Sequence, residues 1–255
     1  MENETTQQKA LNFFKKADYE NAAKEFLKLR EELPNDVAVD NNIGLCYAKL
    51  GRPDDAEKFY LDALKKDCKS VQTYINLTDL YFARNDIAKC IGLLETAVTI
   101  MPENIVLMHY LARIYIEDVR YDEAFDILYK LTELSPSNID AYWDLGNLSY
   151  ETGDYENAVS CFEKVLEKRD DNPHIFFKTG LAYEAANDIP KALSNYLKAI
   201  AANNDFYPAY KKAAIMFLAQ NDLEGAKEYF SDYLEFDLPE EEKSSVRKTL
   251  ENLEE

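Results

Sequence analysis

AYWDLGNLSYETGDYENAVSCFEKVLE, residues Ala141–Glu167, reads as two short helices joined by a turn. Tyr142, Leu145, Gly146 and Ser149 fall three or four apart and share one helical face. Ala158, Phe162, Val165 and Leu166 do the same on a second helix. Gly153 and Asp154 break the pattern between them, the glycine as a turn residue and the carboxylate as an acceptor for the first backbone N–H groups of the next helix.

The same pattern returns every 34 residues without a gap, in both directions from this stretch. Numbering each block from its first residue, position 20 holds Ala22, Ala56, Cys90, Ala124, Ala158, Ala192 and Ala226. Position 8 holds Ala10, Gly44, Thr78, Ala112, Gly146, Gly180 and Ala214, and position 24 holds Phe26, Tyr60, Leu94, Leu128, Phe162, Tyr196 and Phe230. Small residues at 8 and 20 let two helices approach, and rings at 11 and 24 fill the space beside that contact. Asp18, Asp86, Asp154, Asp188 and Asp222 share position 16 and are expected to be N-caps, not catalytic acids. Pro34, Pro102 and Pro136 at position 32 stop the second helix. In later blocks Pro173, Pro208 and Pro239 are displaced onto the following turn.

A 34-residue unit carrying W-x2-L-G-x2-Y, then A-x3-F-x2-A, then P resembles the tetratricopeptide repeat. Here Tyr142, Leu145, Gly146, Ala158 and Phe162 fill the slots, with Ser149 in the usual aromatic place. The resemblance covers about nine-tenths of the chain and is specific for fold, far less so for function. It implies an all-α fold, a right-handed α-solenoid superhelix of helix-turn-helix repeats spanning 3–36, 37–70, 71–104, 105–138, 139–172, 173–206 and 207–240, as one array over 1–240. The tail, 241–255, places Val246, Leu250 and Leu253 on one face and is expected to be a capping helix over the last repeat; a partner-binding or dimerising helix is the competing reading. Such repeats cannot offset their own ordering entropy and depend on stacking against neighbours.

Composition narrows function. A net charge of −19 argues against nucleic acid and anionic membrane surfaces, since phosphate binding needs a concentrated basic patch. No window approaches the roughly 20 apolar residues of a membrane-spanning helix, and the N-terminal stretch has no signal-peptide run, so a cytoplasmic protein without membrane insertion is expected. Cys46, Cys68, Cys90 and Cys161 lack zinc spacing and read as reduced, structural thiols. His109 and His174 belong to no catalytic motif, and the seven glycines are used by packing and turns, which leaves no phosphate-cradling loop. No enzyme, cofactor or metal is expected.

The resemblance also implies that positions 2, 5, 6, 9, 12 and 13 of each first helix line a concave groove. Early repeats contribute Asn41, Asn42, Asn76, Asp79 and Phe82 there; middle ones His109, Tyr110, Arg113, Asp140, Trp143, Asp144, Asn147 and Tyr150; late ones His174, Phe177, Lys178, Lys211 and Lys212. Asn42 and Asn76 share position 6 and are expected to stack as amides able to hold a peptide backbone, or to bond each other or the next helix. Trp143, Tyr110, Tyr150 and Phe177 read as anchors for a ligand, with packing against the adjacent repeat as the alternative, above all for Tyr150 beside Ser149. Lys178, Lys211 and Lys212 read as a site for an acidic or carboxylate end, unless they are solvated or internally paired. No triple of repeats matches the Lys, Asn, Asn, Lys, Arg carboxylate clamp of the chaperone-binding members. The expected function is a non-catalytic adaptor holding an extended segment of a partner protein, with Arg113 and Asn147 among its contacts. Self-assembly into a homo-oligomer through a terminus and the groove is one rival, and a module associated with a larger enzyme the other.

Overall fold

The computed structural model describes residues 5–254; Asn3 and Glu4 at the start of the first repeat and Glu255 at the end of the tail lie outside the described residues. Every regular element among the described residues is an α-helix. In order these are α1 (Thr6–Lys15), α2 (Tyr19–Glu32), α3 (Val37–Lys49), α4 (Pro53–Lys66), α5 (Val71–Ala83), α6 (Ile87–Ile100), α7 (Ile105–Glu117), α8 (Tyr121–Leu134), α9 (Ile139–Thr152), α10 (Tyr155–Leu166), α11 (Pro173–Ala185), α12 (Ile189–Ala202), α13 (Tyr207–Ala219), α14 (Leu223–Glu235) and α15 (Glu240–Glu254). Where the period leads one to expect a continuous array, the chain forms two compact units, one ending at Ser135 and the other beginning at Pro136. The boundary falls in the Pro136 loop that ends α8. Within each unit, each helix packs on the next in sequence.

The turn between paired helices is the most regular part of the molecule. Ala17, Gly51, Asn85, Val119, Gly153, Asn187 and Asn221, each 34 residues after the last, all have positive φ, between 58° and 87°. Glycine and asparagine tolerate this left-handed conformation. Val119 does not, because a β-branched side chain there crowds the following carbonyl at a cost of about 1–2 kcal/mol. One residue on, Asp18, Asp86, Asp154, Asp188 and Asp222 accept from the backbone N–H three residues later, as expected of N-caps. The first helices have their own caps, at position 34: Asp36, Asn104, Asn138 and Asn172 each accept a backbone N–H of the helix that follows. Pro173 and Pro208 start α11 and α13 instead of stopping the preceding helix.

The core runs between the paired helices. All seven position-20 residues are fully buried, and the position-24 side chains nearly so. The two sets of small residues have different duties. A Cβ added at Gly44, Gly146 or Gly180 would sit 2.5–2.8 Å from the ring of Tyr60, Phe162 or Tyr196, so the position-8 glycines make room for the position-24 rings of their own repeats. Ala10 and Ala214 share their clusters with Phe26 and Phe230, so an alanine also leaves room for a position-24 phenylalanine.

Position 11 carries a second rule. Tyr47, Tyr81, Tyr115 and Tyr183 each lie under a cation, respectively Arg52, Lys89, Arg120 and Lys191, 4.5–5.0 Å from the ring centre. In two repeats the cation is at position 16 and pairs with an acid at 19 (Arg52–Asp55 and Arg120–Glu123, both 2.6 Å). In the other two the pair is reversed (Asp86–Lys89, 3.2 Å; Asp188–Lys191, 3.3 Å), and the acid doubles as the helix cap. The tyrosine hydroxyls then reach back to the preceding repeat: Tyr81 donates to Glu57 (2.9 Å), Tyr115 to Glu95 (2.8 Å) and Tyr183 to Glu163. Ser149, the exception at this position, accepts from Asn157 Nδ2 at 2.8 Å.

One buried charge interrupts the apolar pattern. Asp40 holds position 4, filled by Tyr74, Met108, Tyr142, Phe176 and Tyr210 in later repeats, and is 0% exposed. Arg30 of α2 approaches it to 2.6 Å and Lys66 of α4 pairs with its other oxygen, so one carboxylate ties three helices together. At the far end, α15 begins at Glu240 and packs Val246, Leu250 and Leu253 against Ala214, Phe230, Tyr233 and Leu238, while Tyr233 donates to Glu242 at 2.8 Å.

Candidate functional site

In the first unit the first helices present two cavities. One, of about 190 Å3, is lined by Thr78, Asp79 and Phe82 of α5 and Tyr110, Arg113, Ile114 and Glu117 of α7. The other, of about 240 Å3, lies between α3 and α5 and includes Leu45, Ala48, Lys49, Asn76, Leu80 and Ala83. Asp79 lines both. Burial raises its carboxyl above the usual range, and among the described residues it forms no ion pair. Burial, aided by the Asp79 charge, likewise raises the Tyr110 phenol. Phe82 keeps 46% of its surface open, and Arg113 is exposed and makes no ion pair among the described residues. Tyr110 and Arg113, both singled out by register, are therefore brought together with Asp79 and Phe82 around one opening.

The asparagines behave differently from expectation. Asn76 Nδ2 donates to Oδ1 of Asn41 at 3.0 Å and its own Oδ1 accepts from Gln72 at 2.9 Å. The amide ladder therefore runs diagonally through Asn41, and the expected stack of Asn42 on Asn76 does not form. Residues sharing a position need not face each other when the bond that closes is offset by one residue. Asn42 is half-buried and outside the ladder.

In the second unit the inner-wall residues are largely absorbed by packing. Trp143 is half-buried, its ring 5.4 Å from Phe162 and packed with Ala158 and Ala182. Asn147 Nδ2 donates to the Trp143 carbonyl at 2.8 Å. Tyr150 joins the same cluster and lies 5.6 Å from Tyr155, the packing alternative raised by Ser149. Phe177 sits between Tyr196 (5.6 Å) and Phe206 (5.4 Å), and His174 is edge-on to Phe206. A cluster of three unengaged lysines is not formed. Lys212 pairs with both oxygens of Glu184, at 2.9 and 3.0 Å, and Tyr196 donates to the same carboxylate. Lys178 lies 6.0 Å from the Tyr150 ring centre and Lys211 5.8 Å from that of Tyr233. With its charge cancelled by Glu184, Lys212 has little left to offer an incoming carboxylate.

The thiols divide by burial. Desolvation raises Cys46 and Cys161 to about 12 and Cys90 to about 11, and Cys68 is exposed. No helix among the described residues is long and apolar enough to cross a membrane, and no group of three or more histidine, cysteine or acidic residues there is placed to hold a metal.

Sequence models of the tetratricopeptide repeat match residues 8–70, 116–176 and 177–238. A curated protein, the BBSome complex member BBS4 of Bos taurus, is 31% identical over 93 residues, which is 36% of this chain and 18% of that protein. The chain thus spans under a fifth of the length of this relative. Among solved structures, the C-terminal part of a repeat protein from Cytophaga hutchinsonii superposes with a TM-score of 0.74 at 19% identity, over 89% of this chain and 94% of that one. YrrB, whose structure is described as a repeat protein with an unusual peptide-binding site, gives 0.66 at 16% identity, over 74% and 97%. At these identities the superpositions establish the fold.

Proposed function

For this chain, which belongs to the tetratricopeptide repeat family, we propose the role of a non-catalytic protein–protein interaction scaffold that holds an extended segment of a partner on the inner wall of its first helices. The observation that carries this is the open cavity of the first unit. Phe82 leaves nearly half its surface in solvent, and Asp79 and Arg113 stand beside it without ionic partners. A half-exposed ring bordering a cavity beside two charges without ionic partners is a combination that an interaction surface offers. The peptide-binding site ascribed to YrrB supports the same use of the fold. In the second unit Trp143, Phe177 and Tyr150 are half-buried, so a ligand there would meet only their remaining edges. Four free thiols support a reducing compartment, the cytoplasm.

The test is capture of partners from the native source with wild-type protein and with a Phe82→Ala, Tyr110→Ala, Arg113→Ala variant whose melting is unchanged. Loss of a specific partner from the variant is expected. Identical capture by both would remove the basis of the proposal.

A further inference from the structure

We infer that the cavity between α5 and α7 is a pocket for one basic side chain of the partner segment, arginine above lysine, with an aliphatic residue two positions away that enters the adjoining cavity between α3 and α5. This rests on the reading of the inner wall as a peptide site and specifies its ligand.

The chemistry follows from the lining. A cavity of about 190 Å3 holds on the order of six waters at their liquid volume, the space of one long side chain and not of a folded element. Its walls are the exposed ring of Phe82, the ring of Tyr110 and Ile114, surfaces on which an aliphatic stem and a flat guanidinium both pack well. At its floor Thr78 is 1% exposed, and its hydroxyl has no hydrogen-bond partner, so a donor or acceptor arriving from solvent would satisfy an otherwise orphaned group. Two carboxylates, Asp79 and Glu117, share the lining with one guanidinium, Arg113, so the opening carries an excess of negative charge. Asp79 lines the opening and makes no ion pair among the described residues, so an incoming guanidinium would supply it with paired hydrogen bonds and the opposite charge. A partner carboxylate directed at Arg113 would instead be repelled by two acids and by the chain's overall charge of −19.

The second cavity sets the neighbour. Across Asp79 the lining turns to Leu45, Ala48, Leu80 and Ala83, with Lys49 opposing a second cation there. An extended strand places consecutive side chains on opposite faces, so the pair entering the two cavities stands at alternate positions of the segment.

The experiment is selection of random dodecapeptides displayed on phage against the full chain, followed by fluorescence anisotropy of the enriched peptides. Enrichment of arginine or lysine two residues from an aliphatic side chain is expected. Replacing that arginine by citrulline, which keeps the shape and removes the charge, should weaken binding by about tenfold. Asp79→Asn, at an exposed position where folding is not at stake, should produce a similar loss, and the two losses should not add. Enriched peptides that are acidic or uncharged, that depend on Phe82 and Tyr110 but ignore Asp79→Asn, overturn the basic pocket and leave the inner-wall reading standing. No enrichment, or binding indifferent to a Phe82→Ala, Tyr110→Ala variant, overturns both.

Discussion

The first helices of the two units use the same repeat positions to opposite ends. In the first, Phe82 and Tyr110 border an opening and Asp79 and Arg113 stand without ionic partners; in the second, Trp143 leans on Phe162, Phe177 is wedged between Tyr196 and Phe206, and Lys212 is neutralised by Glu184. The difference lies in what each side chain finds within reach. A large ring beside a large second-helix ring packs on it, because aromatic pairs gain contact beyond their buried area. In the repeats of Phe82 and Tyr110 position 24 of the second helix holds Leu94 and Leu128, not a ring. Position in the repeat sets direction, and the partner across the interface sets availability.

The contrast can be broken most severely at charge. The first unit hides a carboxylate at Asp40 between two cations, whereas the Lys212–Glu184 pair of the second is about three-tenths exposed. Asp40→Ala should destabilise by about 3 kcal/mol, read as a lowered urea midpoint, since it leaves Lys66 without its acid beside a cavity, while Arg30 keeps only Asp62 at 3.1 Å. Next is the aromatic contrast: Trp143→Ala should cost about 2 kcal/mol in the same measurement and Phe82→Ala within about 0.5 kcal/mol. Equal costs would mean that the two walls are built alike. At the turns, Val119 and Gly153 occupy equivalent left-handed sites, so Val119→Gly should stabilise by about 1 kcal/mol while Gly153→Val destabilises by a similar amount. Lys212→Gln, which removes half of a partly solvated pair, should cost about 0.5–1 kcal/mol. The smallest effect is chemical. Only Cys68 should react with a thiol reagent at pH 8 in the native chain, because Cys46, Cys90 and Cys161 are buried and held as thiols by pKa values of about 11 to 12; unfolding should release the other three.

Much of this was readable from the period. The buried alanines at position 20, the aspartate caps at 16 and the packing of the tail follow from residue type at fixed spacing, because helix geometry turns spacing into direction. The caps at position 34 escaped because the column is broken: Asp36, Asn104, Asn138 and Asn172 cap with their side chains, whereas Ser70 and Phe206 in the same place do not. Asp40 escaped for a related reason: its partners Arg30 and Lys66 come from other helices, and nothing local marks a charge as buried. At the site, register singled out Tyr110 and Arg113, which line one cavity. It could not separate them from Trp143 or Lys212, whose fate depends on a ring or a carboxylate in another helix.

The tyrosine hydroxyls that reach back to Glu57, Glu95 and Glu163 bear on how such chains can be recombined. Cutting between repeats, the natural choice for anyone transplanting them, separates each hydroxyl from its acceptor. The graft that carries its own joint begins inside one repeat, at the second helix bearing the glutamate, and ends inside the next, after the tyrosine. A cassette from α4 through α5 takes Glu57 and Tyr81 together into a new host; one from α5 through α6 delivers Tyr81 with its half-buried oxygen looking for an acid the recipient must already possess.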